Sequence, residues 1–455
     1  MSDVLDDLRA GVPGAHIITD PDAMEGYRRD ETPMVSAGQP LCVVLASSTE
    51  QVAGTLAWAQ RHQIPVVPRG GGTSLAGGAT ATDGCVVVSL ARMTVIRELD
   101  PANEIAVAEA GVFNADLDRA AAEHGLMYAP DPSSYEIATI GGNLATNAGG
   151  LRCVKYGVTR DSVLGLEVVL AGGRVLKTGR RTMKGVTGYD LTGLFVGSEG
   201  TLGVITSATL RLRLRPASYP RTVAAGFASF AAGAQAVSAI LAARLRPSML
   251  ELMDSATLRA IDDWKNTGFG SDVQALLIAQ DDSDSADHGA ERMRALCVDA
   301  GAVLAEVSDS EDESRQLLDL RRLAGHAVLR LGAALVEDVC VPRTKLPVMI
   351  ARIEQAAQRH DVFISTVAHA GDGNLHPVFV FDRGLPEVPP AVWAAADEIF
   401  RAALELGGTL TGEHGVGVIK RRWLADELGA DSMDVHRSIK AALDPAGIMN
   451  PGKVL

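Results

Sequence analysis

The segment Pro68-Arg69-Gly70-Gly71-Gly72-Thr73-Ser74-Leu75-Ala76-Gly77-Gly78 is the most informative stretch of the chain. It has five glycines in eleven residues and follows an apolar run at residues 64–67 that predicts a strand. Glycine loses more conformational freedom on folding than any other residue, so this composition is costly to order. Successive backbone N–H groups without side chains form a concave site for a phosphate or pyrophosphate. A glycine-rich surface turn is the alternative, and this segment alone leaves both open.

The glycine spacing differs from that of the common nucleotide-binding loops. The chain has no G-x-x-x-x-G-K-[ST] here, and no G-x-G-x-x-G opens a helix with an acidic residue at the usual distance. Nicotinamide and nucleoside-triphosphate proteins are therefore not the first interpretation. Upstream, residues 41–46 predict a strand, and Ser48 with Gln51 predicts a capped helix start. The glycine loop thus follows a strand–helix–strand unit, at a strand end where α/β proteins usually bind ligands.

Composition limits the class of protein. The length of 455 residues predicts two or three domains, and the net charge of −14 argues against nucleic-acid binding. Five cysteines are scattered, odd in number and never in a C-x-x-C pattern: Cys42, Cys85, Cys153, Cys297 and Cys340. This usage indicates a reducing compartment and excludes an iron–sulfur cluster held by this chain. We therefore expect a cytoplasmic protein, or one peripheral to the inner face of the membrane.

The sequence predicts neither a signal peptide nor a transmembrane segment. The first fourteen residues are acidic and lack an apolar core. Residues 222–243 carry no charge and are long enough to cross a bilayer, but they are rich in Ala, Gly and Ser and include Gln235. This composition favours a strand followed by an Ala-rich helix.

Two further segments are rich in glycine and small polar residues. The first contains residues 130–134, PDPSS, and residues 139–150, TIGGNLATNAGG; the second is residues 197–203, GSEGTLG. A flexible loop is the alternative for the first, although loops of this length are uncommon in compact domains unless they have a function. The strand after the second alternates, which predicts Leu210, Leu212 and Leu214 facing the core and Arg211, Arg213 and Arg215 facing solvent.

Beyond Pro216 and Pro220 the glycine loops stop, and helices alternate with strands. Acidic stretches at residues 281–287 and 309–313 are predicted to be solvated surface. This change of character indicates a second domain.

Histidines beside glycine-rich turns form a second constellation. Residues 363–369 predict a strand ending in His369, and a turn at residues 370–374 returns the chain to His376. His414 follows Glu413 in another glycine-rich segment, residues 407–417. Two imidazoles and a carboxylate suit zinc, iron or manganese. The alternative is that each histidine hydrogen-bonds to a turn backbone.

Glu413 and His414 are adjacent, and adjacent residues of an extended segment point in opposite directions. Gly412 and Gly415 permit the bend that would let both face one cavity. We interpret Glu413 as a metal ligand and His414 as a base.

In combination, the motifs of this chain resemble those of the FAD-linked oxidoreductases of the vanillyl-alcohol oxidase superfamily. The motifs are PRGGGTSLAGG, PDPSS with IGGNLATNAGG, GSEGTLGVIT, HAGDGNLHP, GEHGVG and DPAGIMNPGKVL. The chain is similar, over residues 35–455, to their D-2-hydroxyacid dehydrogenase family, which includes D-lactate dehydrogenase, the flavin subunit of glycolate oxidase and D-2-hydroxyglutarate dehydrogenase. The resemblance implies an α+β fold. Residues 1–220 would form a two-subdomain FAD-binding domain of the PCMH type, residues 221–395 an α+β substrate domain with an antiparallel sheet, and residues 396–455 a C-terminal helical segment returning to the flavin.

The resemblance implies non-covalent FAD, because Thr73 stands where many superfamily members carry the linking histidine. The glycine loop would cradle the pyrophosphate. The implied cofactor-binding residues are Pro68, Arg69, Gly70, Gly71, Gly72, Thr73, Ser74, Gly77, Pro130, Thr139, Gly141, Gly142, Asn143, Thr146, Gly149, Gly150, Glu199, Gly200, Gly203, Ile205 and Asn450.

The resemblance also assigns the chemistry. His369, His376 and Glu413 would hold a divalent metal, zinc first with iron or manganese as alternatives, and His414 would take the hydroxyl proton as hydride passes to flavin N5. Arg321 would bind the substrate carboxylate, as a guanidinium does bidentately. A lone arginine on a charged helix usually faces solvent, and only the resemblance to the family favours Arg321 over Arg322.

A monocarboxylate substrate is expected, because Val336 stands where the hydroxyglutarate enzymes carry a lysine. D-lactate is favoured, with glycolate and D-2-hydroxyglutarate as alternatives. Electrons would pass to a quinone, a cytochrome or a separate redox protein, and a homodimer is compatible with the sequence. Oxidation of an alcohol or sugar, or a binding module without redox chemistry, are the competing hypotheses.

Overall fold

The computed structural model describes residues 2–182, 184–268 and 272–455. The chain forms two compact units. Unit 1 comprises Met1–Gly149, Gly157–Arg215 and Glu413–Leu455, and unit 2 comprises Gly150–Tyr156 and Pro216–Gly412.

The elements up to residue 215 are α1 (Ser2–Gly11), β1 (His16–Ile18), α2 (Pro21–Arg28), β2 (Cys42–Leu45), α3 (Thr49–His62), β3 (Val66–Arg69), β4 (Val86–Ser89), β5 (Ile96–Asp100), β6 (Ile105–Glu109), α4 (Asn114–Ala122), β7 (Leu126–Met127), α5 (Ile140–Thr146), α6 (Cys153–Tyr156), β8 (Val163–Val169), β9 (Val175–Gly179), α7 (Leu191–Phe195), β10 (Val204–Arg211) and β11 (Arg213–Leu214).

The later elements are β12 (Arg221–Phe227), α8 (Phe230–Ala242), β13 (Met249–Asp254), α9 (Ser255–Lys265), β14 (Ala275–Asp281), α10 (Ala286–Asp299), β15 (Leu304–Val307), α11 (Glu311–Leu329), β16 (Ala333–Val336), β17 (Val339–Cys340), α12 (Leu346–His360), β18 (Phe363–His369), β19 (Asn374–Phe381), α13 (Pro390–Glu405) and α14 (Leu424–Leu443).

A four-stranded sheet of order β1-β2-β4-β3 carries the glycine loop in unit 1. Strands β2 and β3 both pair with β4 in parallel, and α3 connects β2 to β3. The Ser48 side chain accepts a hydrogen bond from the Gln51 backbone N–H at 3.3 Å, so the predicted helix start is confirmed. Val52 and Leu56 are fully buried in the core beneath this helix. The loop therefore leaves the carboxyl end of a parallel strand, as predicted.

An antiparallel sheet of order β5-β6-β10-β8-β9 forms the second layer of unit 1. Leu210 and Leu212 are fully buried, as predicted, but Leu214 is 72% exposed. The expected alternation fails there because β10 ends at Arg211 and Leu214 belongs to β11, which pairs with β7 outside this sheet. Arg215 is not simply solvated, since its guanidinium contacts the Asp118 carboxylate at 2.9 Å.

Residues 140–146, predicted as part of a functional loop, form the helix α5. Thr139 caps this helix by accepting a hydrogen bond from the Gly142 N–H at 3.3 Å. A Cβ atom on Gly141 would lie 2.6 Å from the Ala110 side chain, so only glycine allows the helix to approach β6 this closely. Local capping and close packing together make a helix of a glycine-rich sequence.

Unit 2 is built on an antiparallel sheet of order β15-β12-β14-β13-β18-β19-β16, with β17 paired to β19. Helices α9 and α11 cover one face through a core cluster that includes Met249, Met253, Ile261, Ala324 and Val328. Residues 222–243 form strand β12 and helix α8, as predicted. In the part of the chain that the structure describes, no helix combines the length and the apolar character needed to cross a bilayer.

The acidic stretch at residues 281–287 is predicted to be solvated surface, but Asp282 within it is buried. It is 8% exposed and accepts hydrogen bonds from the Lys155 ammonium and, at 2.5 Å, from the Tyr156 hydroxyl. Both partners belong to Gly150–Tyr156, the segment that unit 2 takes from the middle of the chain. The two donors provide the hydrogen bonds that a buried carboxylate needs, which is why Asp282 can be buried although its sequence neighbours are acidic.

Candidate active site

The glycine loop and the segment before α5 approach one another so closely that Gly70 and Gly71 have no room for side chains. A Cβ atom on Gly70 would lie 2.5 Å from Thr139 Oγ1, and one on Gly71 would lie 2.5 Å from the Ile137 carbonyl oxygen. Gly72 has a φ of +75°, a left-handed conformation that favours glycine. The two motifs thus form one surface of exposed backbone groups, which suits an anionic ligand.

A cavity of about 470 Å³ lies against this surface. Its volume is in the range of small-molecule sites. Arg69 lines it, with its guanidinium donating to the carbonyl oxygens of Arg29 and Gly26 at 2.7 and 3.3 Å. Burial lowers the pKa of Arg69 from its ordinary value. The other lining residues are Gly26, Tyr27, Gly70, Gly71, Ser89, Ala91, Gly111, Phe113, Ile137 and Thr139.

Two buried amides in unit 1 have atoms that fit a flavin. Asn143 Nδ2 and Asn450 Oδ1 have no hydrogen-bond partner among the described residues, although their residues are only 4% and 2% exposed. Buried polar atoms are nearly always paired, so a donor and an acceptor left open in this region indicate a ligand with both functions. An isoalloxazine ring offers such groups, and FAD therefore fits the residues present.

Asn450 also joins three of the sequence motifs. Its Nδ2 donates to the carbonyl oxygens of Gly78 and Glu199 at 2.9 and 2.7 Å. Lys440 secures the preceding turn by donating to the carbonyl oxygens of Thr201 and Met449 at 2.6 and 2.7 Å. The C-terminal segment is thereby fixed against the glycine loop.

Glu199 lies at the centre of this arrangement. Its carboxylate accepts hydrogen bonds from the Val416 and Gly417 N–H groups at 2.8 and 2.9 Å, just after His414. A Cβ atom on Gly415 would lie 2.9 Å from Glu199 Oε1. Burial raises the pKa of Glu199 from 4.5 to about 7, an effect that the two N–H groups and Lys420 partly oppose. The structure thus places this carboxylate on the backbone that follows His414.

The remaining predicted cofactor residues make mostly backbone or packing contacts. The Gly77 N–H donates to Thr32 Oγ1 at 3.1 Å, and the Pro130 carbonyl accepts from Asn114 at 3.0 Å. Others line the same loops, pack beneath them or follow α5: Pro68, Thr73, Ser74, Thr146, Gly149, Gly150, Gly200, Gly203 and Ile205.

The two histidines of unit 2 meet as the hairpin predicted. Strands β18 and β19 pair with His376 opposite Val367, so His376 shares a sheet face with His369, two residues along. The ring centroids are 5.0 Å apart in an edge-to-face arrangement, and one nitrogen of each ring lies within 4.8 Å of the other. Both residues are buried. Two imidazoles at this separation are suitable ligands for one metal ion.

A residue that sequence reasoning missed, Glu251, holds His369 in place. Glu251 is fully buried on β13 and stands directly opposite His369 in the pairing with β18. Its carboxylate oxygens lie 2.8 and 2.9 Å from His369 Nδ1. A carboxylate only accepts, so Nδ1 carries a hydrogen and the other ring nitrogen, Nε2, is the atom that could bind a metal ion.

Arg321 contacts the same carboxylate. It is 4% exposed on α11, and its Nε donates to Glu251 Oε2 at 2.8 Å. Arg322 is more exposed and lies 3.7 Å from Asp319. Burial therefore distinguishes two neighbouring arginines that the sequence did not separate. The signal for Glu251 was its position as the one acid among the apolar residues 249–253, but nothing in the local sequence indicated its partners.

The residues just before Glu413 and His414 are held by hydrogen bonds to a buried carboxylate. Asp338 is fully buried in unit 2 and accepts hydrogen bonds from Thr411 Oγ1 at 2.8 Å and from the Gly412 N–H at 2.6 Å. Glu413 begins the last segment of unit 1, where a Cβ atom on Gly149 would overlap its carboxylate. Gly415 has a φ of +86°, a left-handed conformation that favours glycine directly after His414.

Comparison with known protein families gives two matches. Residues 40–179 match the FAD binding domain, and residues 217–454 match the C-terminal domain of FAD linked oxidases. The second match alone covers more than half of the chain.

The chain belongs to the FAD-linked oxidase family. It is an FAD-dependent oxidoreductase, and the expected α+β fold is confirmed. It is 42% identical to glycolate oxidase subunit GlcD of Bacillus subtilis over 431 residues, which is 94% of this chain and 91% of that protein. It is 36% identical to a D-lactate dehydrogenase of Archaeoglobus fulgidus over 438 residues, or 95% and 96% of the two chains.

Two solved structures extend the likeness at the level of fold. Substrate-bound p-cresol methylhydroxylase superposes with a TM-score of 0.83 at 18% identity, covering 100% of this chain and 96% of that one. An alkyldihydroxyacetonephosphate synthase gives 0.77 at 19% identity, covering 99% and 86%. At such identities only the fold carries over.

Replacement Gly71→Ala is expected to weaken FAD binding. The new Cβ would lie 2.5 Å from the Ile137 carbonyl oxygen, so backbone must move apart at the cradle. Overpacking of this kind typically costs about 1–3 kcal/mol, and a cost of that size in the bound state corresponds to roughly a 5- to 150-fold loss of FAD affinity. Flavin absorbance per mole of purified protein measures it. Gly11→Ala is the matched control, because nothing lies within 4 Å of its Cβ position; equal flavin content in both variants would contradict the prediction.

Glu199 is expected to make stability depend on pH. Its pKa is raised to about 7 in the folded protein, so the folded form binds the proton more tightly than the unfolded form. This contribution is full below about pH 4.5 and is lost as the pH rises through about 7. Thermal unfolding should therefore be measured between pH 5 and 8 for wild type and Glu199→Gln. The Tm of wild type minus that of Glu199→Gln is expected to decrease as the pH rises. A difference in Tm that is constant with pH would refute it.

Proposed function

We propose that the protein oxidises a short D-2-hydroxy monocarboxylic acid, D-lactate first, to the 2-oxo acid and passes the electrons to an external acceptor. The observation that carries this proposal is the buried contact of Arg321 and His369 with one carboxylate, Glu251, in an FAD-linked oxidase. It gives unit 2 an anion-binding group and a metal-ligand candidate side by side.

Arg321 has the role of binding the substrate carboxylate. Its Nε is engaged by Glu251, and the planar guanidinium has two terminal nitrogens suited to a bidentate contact with a second carboxylate. Its low exposure strengthens a charged hydrogen bond, because water competes less in a buried site.

His369, His376 and Glu413 are proposed to hold a divalent metal, zinc in the first instance. Support comes from the spacing of the two imidazoles and from the carboxylate behind His369. A bound divalent cation would lower the pKa of the substrate hydroxyl as a Lewis acid. Bound FAD, proposed to be non-covalent because position 73 is threonine, would accept the hydride.

His414 is proposed to remove the substrate hydroxyl proton. It follows Glu413 directly, and the Glu199 carboxylate fixes the backbone two and three residues further on. A base held by ordered backbone keeps its ring within reach of one proton, which general-base catalysis requires.

A single carboxylate on the substrate is favoured by Val336. This residue pairs with Val378 on β19, two residues from His376, and packs against the apolar core cluster. The position therefore provides no cation for a second carboxylate on the sheet face that carries the histidines.

Glycolate is the second candidate, favoured by similarity to proteins named glycolate oxidase subunit GlcD in Bacillus subtilis and Escherichia coli. The word subunit in those names also supports a separate redox protein as electron acceptor, with a quinone or cytochrome as alternatives. D-2-hydroxyglutarate is disfavoured by Val336.

Anaerobic mixing with candidate acids tests the substrate. D-lactate is expected to bleach the flavin absorbance of the purified holoenzyme, with glycolate slower, and L-lactate, D-2-hydroxyglutarate and sugars without effect. Bleaching by glycolate alone would move the assignment to the second candidate. Bleaching by a sugar, or by none of the acids, would remove the proposal.

The variant His414→Ala tests the base. Flavin reduction in stopped flow should slow about 100- to 10,000-fold, the usual contribution of a general base, while FAD stays bound. Flavin content and the unfolding temperature serve as controls for folding. Reduction at close to the wild-type rate would mean that another group takes the proton.

A further inference from the structure

We propose that Glu251 is a positioning residue that couples substrate binding to metal binding, by orienting Arg321 and His369 through its two carboxylate oxygens. The inference rests on the proposed function, because it concerns the groups assigned there to the substrate carboxylate and to the metal. All three residues belong to unit 2, and they are 0%, 4% and 4% exposed respectively.

The position of Glu251 follows from strand register. It stands opposite His369 in the β13–β18 pairing, on the face that Met249 and Met253 share at alternate positions. Helix α11 covers this face and brings Arg321 over it. The sheet supplies the carboxylate and one partner, and the helix supplies the other.

Packing does not explain a charge at this site. Taking a carboxylate and a guanidinium out of water is costly, and apolar residues of similar volume often stabilise a core as well or better. Met249 and Met253, the nearest residues on the same face of β13, are buried in the apolar core cluster. An acid between them is therefore better explained by the orientation it imposes on its partners than by stability.

Glu251 acts on each partner in a defined way. It accepts a hydrogen bond from His369 Nδ1 at 2.8 Å, which fixes the orientation of the ring and leaves Nε2 as the atom that could bind a metal ion. It also accepts a hydrogen bond from Arg321 Nε at 2.8 Å, which fixes the plane of the guanidinium. Both its oxygens are occupied by these contacts, which makes it a support rather than a ligand.

The two donors share a charged carboxylate with two acceptor oxygens, and an amide offers neither the charge nor the second acceptor. The variant Glu251→Gln keeps the side-chain shape but replaces one acceptor oxygen with an NH₂ donor, so a single uncharged oxygen is left to accept from both His369 and Arg321. The shorter Glu251→Asp keeps both acceptors and the charge, and it provides a second variant should the glutamine protein fold poorly.

Co²⁺ titration of the metal-stripped, FAD-containing full chain, followed by absorption spectroscopy, is the principal readout, with KM for D-lactate as the second. For Glu251→Gln we expect the Co²⁺ dissociation constant to rise about 10- to 100-fold, the usual effect of removing a support behind a metal-bound histidine, or KM to rise roughly tenfold or more. Glu251→Asp should retain more of both properties than Glu251→Gln.

Asp254→Asn is the matched control. Asp254 lies on the same strand and accepts hydrogen bonds from the Thr257 and Thr366 N–H groups at 2.8 and 2.6 Å, away from His369 and Arg321. This variant should lower the unfolding temperature and leave Co²⁺ affinity and KM unchanged. Changes in Asp254→Asn equal to those in Glu251→Gln would reduce Glu251 to a structural role and overturn the proposal.

The remaining outcomes separate this inference from the proposed function. Wild-type Co²⁺ affinity and KM in Glu251→Gln would overturn the role of Glu251 and leave the proposed oxidation intact. Absence of Co²⁺ binding to the wild-type protein would overturn both the metal role and the coupling. Weakened Co²⁺ binding or raised KM, with flavin content and Asp254→Asn behaving as described, would support the inference.

Discussion

The Glu251 carboxylate is buried between a guanidinium and an imidazole, and the roles proposed for Arg321 and His369 both depend on that contact. A charge without solvent requires donors at short range, so its partners cannot move independently of it. The register of β13 against β18 and the placement of α11 both serve to meet this demand. The same face of the sheet is apolar where it forms the core and polar where it carries Glu251 and the histidine pair and meets Arg321 of α11.

Buried carboxylates organise the rest of the chain by the same principle. Glu199 accepts hydrogen bonds from the N–H groups of residues 416–417. Asp338 accepts them from Thr411 and Gly412, and Asp444 accepts them from the N–H groups of Ile448 and Met449. Each connects segments that are distant in sequence, or closes a turn before a functional residue. Glycine has the complementary role, because it lets backbone approach backbone where any side chain would collide.

Different features of the protein indicate its fold and its chemistry. Structures with the same fold at 18–19% identity include a p-cresol methylhydroxylase and an alkyldihydroxyacetonephosphate synthase, so the architecture by itself selects no substrate. Membership of the FAD-linked oxidase family establishes the flavin chemistry. The residues on the histidine-bearing face of unit 2, including Val336, are what narrow the proposed substrate to a short monocarboxylic acid.

Local sequence was sufficient wherever neighbours along the chain decide the structure. The capped start of α3, the strand before the glycine loop and the hairpin that joins His369 to His376 follow from capping chemistry, periodicity and turn residues. Tertiary structure decided the rest, because burial and partners come from distant segments. It turned residues 140–146 into a helix, exposed Leu214 where the chain leaves its sheet, and buried Asp282 with Lys155 and Tyr156. It also brought Glu251 to Arg321, 70 residues away, and to His369, 118 away, pairings that no local pattern encodes because strand register and helix packing create them.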